Sequence, residues 1–225
     1  MKIKDANFVI IDTETTGLEH VDKVVDIALV EIQGRHITNV FSSLVYPGIP
    51  IPPEASAVHH LTDKHVQDAP LWGEVLKEVR KLTRGRVVTA HNAAFDSRFL
   101  PEDIGPWLCT YRLARHLWPD LKSHKNQYLR YYMGFDFEAD AHRAYGDAYT
   151  TAHILMEELE TFGTDREVTE LFELCNSPIW VRKMPFGKYR GEDIDQVPLD
   201  YIEWALSNMK NLDEDLKRTF EKRLA

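Results

Sequence analysis

The feature that most restricts the fold is the stretch FVIIDTETTG, residues 8–17, where two acids follow four consecutive apolar residues. An unbroken apolar run of this kind predicts a strand buried on both faces, as in the centre of a sheet. Because residues i and i+2 of a strand point to the same face, Asp12 and Glu14 lie side by side, whereas Thr13 points away and is a poor catalytic candidate. Two carboxylates about 4 Å apart repel each other by roughly 4 kcal/mol at an effective dielectric constant near 20. The pair therefore requires a positive partner.

The remaining patterns predict an α/β fold in which helices flank a mixed β-sheet. Gly34 and Arg35 alone separate two further apolar strands, which predicts an antiparallel hairpin. A long helix is predicted over 144–162 because its apolar residues recur at spacings of four and three. Antiparallel strands followed by alternating strands and helices are typical of such a mixed sheet. The other predicted elements are strands at 24–33, 36–47 and 86–90, and helices at 54–60, 71–82 and from 93 to about 100.

The chain of 225 residues suffices for one ordinary domain and a small additional one. We predict a first domain over 1–163, a connecting segment over 164–180 and a small C-terminal module over 181–225. The module begins with the glycine-punctuated turn FGKYRG and continues with two short helices, so we expect it to be α/β or mostly helical. At roughly 45 residues it is close to the lower limit for independent folding.

Composition excludes several classes of protein. No apolar run approaches the length of a transmembrane helix, and the apolar stretch near the N-terminus is too short for a secretory signal, so we expect a cytoplasmic protein without membrane association. Cys109 and Cys175 are far apart and lack metal-ligand spacing, which fits reduced thiols. The net charge of −9 argues against nucleic-acid binding. However, basic residues concentrate in residues 105–135 and 180–191, which allows local contact with a polyanion.

Three later residues extend the pair of acids into a possible site. Asp96 lies in the first turn of the helix after the fourth strand, for which Asn92 is the expected N-cap. Asp147 borders the apolar stripe of the long helix, and His142 precedes it by five residues. Those two would lie about 140° apart on a helix, so they meet at one site only if His142 is in the preceding loop. Taken singly, each residue also has an ordinary explanation, such as a solvated acid, a helix-dipole partner or an exposed histidine.

Four carboxylates match two divalent cations, and oxygen ligands suit Mg²⁺, with Mn²⁺ as a possible substitute. Two such ions about 3.5–4 Å apart stabilise the attacking and leaving oxygens of a phosphodiester. A histidine can then deprotonate the attacking water. The stretch DTETTGLEHVDK also begins like a calcium-binding loop, but Lys23 occupies its twelfth position, where an acid is needed. We therefore exclude an EF-hand.

The segments FVIIDTETTGL, HNAAFD and HRAYGDA together resemble the three exonuclease motifs of the DEDD superfamily, in its histidine-containing DEDDh branch. The resemblance implies an RNase H-like fold and metal-dependent removal of nucleotides from 3′ ends. It also implies that Asp12, Glu14, Asp96 and Asp147 are metal ligands and that His142 is the general base. Two more segments, WLCTYRLARHLWPDLKSHKNQYL and FGKYRGEDIDQVPLDYIEWAL, are similar to bacterial 3′→5′ exodeoxyribonucleases of this branch, which implies action on DNA 3′ ends, in DNA repair.

Weaker signals concern contacts with a nucleic-acid substrate. Leu18 could pack on the terminal base, and the resemblance places His59 beside the nucleotide, although a turn hydrophobe and a helix-end histidine are the ordinary explanations. The basic run from Arg112 to Arg130, interleaved with aromatic residues, could hold phosphates and stack bases, or be a solvated helix face. Tail residues of FGKYRG could contact nucleic acid or pack on the main domain. The candidate substrate-binding residues are Thr15, Leu18, His59, Asn92, Phe95, Arg112, Lys122, Lys188 and Arg190.

Two alternatives stay open at this point. The same site could hydrolyse RNA from its 3′ end, because nothing in the sequence reveals how a 2′-hydroxyl would be accepted or rejected. A non-catalytic nucleic-acid-binding module on the same fold is the second alternative. The complete set of five catalytic residues argues against it, since a fold without catalysis would be free to lose them. The sequence does not predict an oligomeric state.

Overall fold

The computed structural model describes all residues from Met1 to Ala225. Its centre is a five-stranded mixed sheet with the strand order β3-β2-β1-β4-β5. β1 pairs with β2, and β2 with β3, in antiparallel fashion, whereas β1, β4 and β5 are parallel. The fold is the predicted α/β class. The strands are β1 (Asn7–Thr15), β2 (Val24–Gln33), β3 (His36–Leu44), β4 (Val87–Ala90) and β5 (Trp107–Cys109).

Ten α-helices surround this sheet or form the C-terminal part of the chain. They are α1 (Pro53–His59), α2 (Asp63–Val66), α3 (Trp72–Thr83), α4 (Ala93–Asp96), α5 (Thr110–Leu117), α6 (Asn126–Tyr132), α7 (Ala144–Phe162), α8 (Val168–Asn176), α9 (Leu199–Asn208) and α10 (Glu214–Leu224). None of these helices is long and apolar enough to cross a membrane.

β1 lies in the middle of the sheet and is buried on both faces, as its apolar run predicts. Phe8 and Ile10 belong to the core that contains buried residues of α7, whereas Val9 and Ile11 belong to the core that contains those of α3. The alternation of a strand continues along β1, so Asp12 falls on the α7 face of the sheet. Core packing on both sides of β1 therefore determines where the two acids point.

The hairpin and the long helix agree with the sequence prediction. β2 and β3 are separated by Gly34 and Arg35, and Gly34 has the positive φ that such a tight turn requires. The stripe of α7 is buried from Ala148 to Leu159 within the main core. This packing places the first turn of α7 beside the end of β1.

The helix expected after β4 is shorter than predicted. α4 ends at Asp96 and is followed by turns, so the helical prediction towards Leu100 is wrong. Asn92 precedes α4 with a φ of 68°, and its side chain accepts no capping hydrogen bond. Side chains cap well from extended backbone, and the left-handed conformation of Asn92 removes that geometry. Asn92 thus occupies the predicted N-cap position but makes no capping hydrogen bond with its side chain.

The chain divides into two compact units, Met1–Cys175 and Asn176–Ala225. α8 lies in the segment that the sequence analysis treats as a connection, and its buried side chains belong to the main core of the first unit. The second unit is mostly helical and has its own apolar core. That core consists of Met184, Ile194, Val197, Ile202, Ala205, Leu216 and Phe220.

Candidate active site

Three carboxylates from two elements come together at the end of β1. One oxygen each of Asp12, Glu14 and Asp147 can be chosen so that all three lie within 4.8 Å of one another. The first two leave β1 at alternate positions, and the third comes from the first turn of α7. The sequence prediction that these residues form one site agrees with their positions in the structure.

Asp96 lies beside this group but outside the three-carboxylate cluster. Its Oδ1 accepts the backbone N–H of Thr13 at 3.0 Å and the hydroxyl of the same residue at 2.8 Å. The carboxyl group is buried, and its charge raises the pKa of Asp12. Thr13 thus points away from Asp12, as predicted, yet it holds the fourth acid of the site.

Burial raises the pKa values of all four carboxyl groups. The pKa of Asp12 is well above its usual range, first because of burial and then because of the charges of Asp96, Asp147 and Glu14. The pKa of Glu14 rises to about 8 through burial and the neighbouring acids, and that of Asp96 to about 7 through burial against the opposing hydrogen bonds of Thr13. The site therefore has too little positive charge for its carboxylates to be ionised together at neutral pH.

A fifth acid lies next to the site on β2. Asp26 is the register partner of Glu14, and it is buried. Its Oδ2 accepts a hydrogen bond of 3.0 Å from Nε of Arg143, the residue directly before α7. This ion pair offsets part of the charge of Asp26 and joins β2 to the start of α7.

His142 lies in the loop before α7, as the geometric argument requires. It is exposed, and its φ of 60° is in the left-handed region that few residues other than glycine adopt. Its backbone N–H donates to Oδ2 of Asp147 at 2.9 Å, while Oδ1 of that carboxylate accepts from Nε2 of Gln127 at 2.8 Å. Both oxygens of Asp147 are thus oriented by neighbours, and the histidine is connected to the site through its backbone.

The loop between β1 and β2 carries Leu18 at the surface. Asp22 organises this loop by accepting hydrogen bonds from the hydroxyl of Thr16 and the N–H of Glu19. Gly17 packs so closely on Asp22 that a Cβ would collide with its carboxylate. Leu18 is 70% exposed. The loop therefore presents an exposed apolar side chain on a fixed backbone.

Other predicted contact residues lie around the same end of the sheet. Thr15 is buried and donates its hydroxyl to the carbonyl of Gly17 at 2.6 Å. His59 is buried near the backbone of Thr15, accepts the N–H of Leu61 at 3.0 Å, and has its pKa lowered by burial. Asn92 is exposed directly before α4, and Phe95 is half-buried within it.

The predicted basic contacts are more dispersed. Nε of Arg112 donates to the carbonyl of Cys175 at 2.6 Å, which connects α5 to α8. Lys122 is exposed in the loop between α5 and α6. Lys188 and Arg190 are exposed in the second unit, where the ammonium group of Lys188 lies 4.7 Å from the centre of the Tyr189 ring.

Sequence reasoning missed four residues that arrange the site, namely Thr13, Asp26, Gln127 and Arg143. Asp26 had a visible signal, because it is an acid inside the otherwise apolar run of β2. The roles of the others depend on contacts between elements distant in sequence, such as the 83 residues that separate Thr13 from Asp96. No local pattern indicates such contacts.

The donor set fits divalent cations. All candidate ligands are carboxylate oxygens, which are the ligands that Mg²⁺ and Mn²⁺ prefer. Bound cations would also supply the positive charge that the raised pKa values show to be missing. Fold and site together define a carboxylate-based metal nuclease with an RNase H-like fold.

Comparisons with known proteins give the family. The profile of the family described as Exonuclease matches residues 9–155, and the chain belongs to this exonuclease family. Exodeoxyribonuclease 10 of Escherichia coli (strain K12) is 35% identical over 219 residues, which cover 94% of this chain and 96% of that protein. DNA polymerase III subunit epsilon of Aquifex aeolicus (strain VF5) is 34% identical over 69% of this chain and 82% of that protein. The chain is thus a metal-dependent exonuclease of the DEDDh class.

Solved structures agree with this assignment. A structure of Exonuclease X in complex with 5′ overhanging duplex DNA has a TM-score of 0.65 and 35% identity, and it covers 75% of this chain and 99% of that chain. The nuclease domain of 3′hExo, a DEDDh family member bound to rAMP, has a TM-score of 0.63 at 18% identity and covers 74% of this chain and 98% of that one, a likeness of fold alone. Residues 173–209 match a different family, named for a quorum-sensing-regulated virulence factor.

Proposed function

We propose that this protein is a 3′→5′ exodeoxyribonuclease that hydrolyses DNA from its 3′ end with two Mg²⁺ ions, for which Mn²⁺ can substitute. The cluster of Asp12, Glu14 and Asp147, whose ligand oxygens lie within 4.8 Å, is the observation that carries the proposal. DNA as the substrate is supported by the similarity to Exodeoxyribonuclease 10 and to Exonuclease X, which was solved with DNA. A role in DNA repair and a cytoplasmic location stay predictions from the resemblance.

Four carboxylates would hold the cations, namely Asp12, Glu14, Asp96 and Asp147. When bound, two divalent cations stabilise the charge that develops on the attacking and leaving oxygens of the phosphodiester. The protein fixes the ligands from behind, since Thr13 holds Asp96, and Gln127 and the backbone of His142 hold Asp147. These outer contacts orient the carboxylates before any cation binds.

His142 is the proposed general base. The residue is exposed to water, and its backbone N–H donates to Asp147 of the carboxylate cluster. The imidazole takes the proton of the attacking water, and the water oxygen forms a bond to phosphorus as the bond to the 3′ leaving oxygen of the chain breaks.

The terminal nucleotide is proposed to lie between the loop after β1 and the start of α4. Leu18 offers an exposed apolar surface for the terminal base, and Thr15 shapes the loop behind it. Asn92 and Phe95 flank the opposite side, and His59 supports Thr15 from the buried side with a neutral ring. These contacts would bind the terminal nucleotide and would take no part in the chemical step.

Phosphates farther along the strand are proposed to meet basic side chains. Lys122 is exposed on the loop before α6, and Arg112 lies on α5, where part of its guanidinium already contacts the carbonyl of Cys175. Lys188 and Arg190 are exposed in the second unit, in a turn next to aromatic rings that bases can stack on. Each contact would add an electrostatic contribution that salt weakens.

The decisive experiment uses DNA and RNA oligonucleotides of the same sequence, labelled at the 5′ end and incubated with Mg²⁺. We expect a ladder that shortens from the 3′ end on DNA, with none in EDTA. Asp12→Ala should reduce the rate by well over the ~100-fold that loss of an outer-shell partner causes, because it removes a ligand itself. Asp103→Ala is the matched control, since Asp103 is an exposed acid paired with Arg80 at 2.9 Å.

The outcomes separate the alternatives. Equal or faster shortening of RNA would replace the DNA proposal by an RNA 3′ exonuclease. Binding of DNA without any hydrolysis, in Mg²⁺ and in Mn²⁺, would favour the non-catalytic binding module. Full activity of Asp12→Ala would show that the carboxylate cluster is not the active site.

A further inference from the structure

The segment between α6 and α7 ends at the proposed general base but has no helix or strand of its own. Residues 135–140 make no regular backbone pairing, and His142 follows in an exposed turn. A segment of this kind needs contacts from neighbouring side chains to hold one conformation. We call residues 135–141 the histidine segment.

Arg130, in the last turn of α6, makes the most extensive contacts with this segment. Its Nη1 donates to the carbonyl of Ala139 at 3.1 Å, and its Nη2 donates to the carbonyl of Phe137. The side chain is buried, and no carboxylate lies within ion-pair distance of it. A buried arginine is costly unless its donors are used. Both Nη groups donate to backbone carbonyls of the histidine segment, whereas Nε is buried without a hydrogen-bond partner.

Aromatic contacts fix the same segment on α7. The ring of Phe137 lies 4.8 Å from the guanidinium carbon of Arg130 and packs edge-on against Tyr149 of α7, with centroids 5.0 Å apart. Its centroid is also 4.8 Å from that of His153, one helical turn farther on. Phe137 is therefore enclosed between α6 and α7, which limits the positions that the segment can take.

Gly146 permits the closest approach between the segment and α7. A Cβ on this residue would collide with the backbone carbonyl of Asp140. Gly146 directly precedes Asp147, and Asp140 lies two residues before His142. Because Gly146 has no side chain, the histidine segment can pack closely on α7 just before His142.

Gln127 connects Arg130 with the metal site. Its Oε1 accepts a weak hydrogen bond of 3.4 Å from Nη1 of Arg130, and its Nε2 donates to Oδ1 of Asp147 at 2.8 Å. The other oxygen of Asp147 accepts the N–H of His142. Arg130 is therefore connected to both partners of the hydrogen bond between His142 and Asp147. It is connected to His142 through the histidine segment and to Asp147 through Gln127.

We propose that Arg130 is a positioning residue for the nucleolytic reaction. Its guanidinium holds the histidine segment against α7 and so sets the position of His142 relative to Asp147. Gln127 acts with it by orienting the carboxylate of Asp147. The inference rests on the proposed role of His142 as general base. It assigns no contact between Arg130 and the substrate or the cations.

The test compares Arg130→Met, which keeps the length and packing of the side chain, with Arg166→Met. Arg166 also lies over a phenylalanine ring, at 3.9 Å from the centre of Phe162, but has no connection to the site. We expect Arg130→Met to lower kcat on DNA by about 10- to 100-fold, the range for outer-shell partners. KM for DNA and the affinity for Mn²⁺ should stay close to the wild-type values, because Arg130 contacts neither the substrate nor the cations. Arg166→Met should retain the wild-type kcat.

A double-mutant cycle with His142→Ala separates positioning from a general loss of structure. If Arg130 acts through His142, then Arg130→Met should lower kcat far less in the His142→Ala background than in the wild type. An equal loss in both backgrounds would overturn the proposal. If His142→Ala alone leaves kcat unchanged, the proposed function of His142 fails instead, and the two failures are distinguishable.

Gly146→Ala provides a second route that leaves Arg130 intact. The added methyl group displaces the histidine segment at Asp140, so we expect a kcat loss that is likewise suppressed in the His142→Ala background. Should Arg130→Met fold poorly, the single variants Gly146→Ala and Arg130→Lys keep the proposal testable, because lysine preserves the charge but lacks the planar fork of donors that spans the two carbonyls. If both single variants, Gly146→Ala and Arg130→Lys, retain the wild-type kcat, the proposal that Arg130 positions His142 is overturned.

Discussion

The carboxylates proposed as metal ligands and the proposed catalytic histidine are held in different ways. Asp12 and Glu14 extend from a strand buried on both faces, and Asp147 extends from a helix packed on the same sheet. His142 instead follows a segment without regular structure and has a left-handed backbone. Core packing therefore determines the positions of the acids, whereas a few side-chain contacts determine the position of the histidine.

Removing His142 should have the largest effect that leaves the acids intact. We expect His142→Ala to lower kcat by about 10²- to 10⁴-fold, the contribution of a general base, while the affinity for Mn²⁺ is retained because no oxygen ligand is lost. Rates on 5′-labelled DNA and calorimetric titration with Mn²⁺ measure the two quantities. His36→Ala, an exposed histidine on β3, is the control. Loss of Mn²⁺ binding would show that His142 is a ligand and that the two regions are not functionally distinct.

Thr13→Val tests whether the core-held acids also depend on a single side-chain contact. The substitution keeps the shape and the backbone N–H but removes the hydroxyl that donates to Asp96 at 2.8 Å. We expect the affinity for Mn²⁺ or the activity to fall by about 10- to 100-fold, as for other outer-shell partners of metal ligands.

Calorimetric titration with Mn²⁺ measures this effect, with Thr38→Val as the control. Thr38 lies on β3, and its hydroxyl contacts the carbonyl of Glu31, so the same change there leaves the site untouched. An unchanged affinity and rate in Thr13→Val would mean that the backbone alone orients Asp96. The position of Asp96 would then depend on backbone packing alone, in clearer contrast with His142, whose position depends on side-chain contacts.

This contrast also explains how much could be predicted from the sequence. The period of two in β1 indicates that Asp12 and Glu14 share a face, and the stripe of α7 indicates that Asp147 lies near the core. Both signals are local, and the structure agrees with them. The end of α4 at Asp96 was not predicted because no strong local breaker follows it in the sequence. Asn92 occupies the predicted N-cap position, but its left-handed backbone leaves the side chain without a capping hydrogen bond.

The contacts that arrange the site were not predictable in the same way. Thr13 meets Asp96, and Arg143 meets Asp26, over separations of 83 and 117 residues. Such pairs form only after β1, β2, α4 and the start of α7 have assembled. A single sequence contains no periodicity for them. The five proposed catalytic residues came from motif resemblance, and of these the structure groups Asp12, Glu14 and Asp147.

Glu158 of α7 provides an acid in the core that no cation is expected to compensate. Both carboxylate oxygens are buried without a hydrogen-bond partner of ordinary geometry. Burial raises its pKa well above the usual range, and the neighbouring Cys109 raises it further, with the backbone of Ala114 opposing. The carboxyl group is therefore protonated in the folded protein over a wider range of pH than in the unfolded chain.

The sign of the pH effect follows from this difference. Below the unfolded pKa of 4.5 both states hold the proton, and stability is unaffected. As the pH rises above that value, only the unfolded chain releases the proton, so unfolding becomes easier by about 1.4 kcal/mol per pH unit until the folded pKa is reached. Glu158→Gln should remove this contribution, and urea unfolding between pH 5 and 8 measures it. An identical pH slope in wild type and Glu158→Gln would contradict the buried, protonated state.

The smallest expected effect concerns two exposed basic residues of the second unit, Lys188 and Arg190. If Lys188 and Arg190 contact phosphates, replacing both by alanine should lower the salt dependence of DNA binding by about 1.4 in log–log slope, or 0.7 for each single-strand contact. Lys210→Ala with Lys217→Ala removes the same charge from exposed positions of the same unit and is the control. An equal slope change in both double variants would indicate net charge alone, and none in either would leave the turn without a role in binding. A slope change found only in the Lys188 and Arg190 double variant would show that this turn contacts nucleic acid. Its loss should weaken DNA binding but leave kcat at saturating DNA unchanged, whereas His142→Ala lowers kcat.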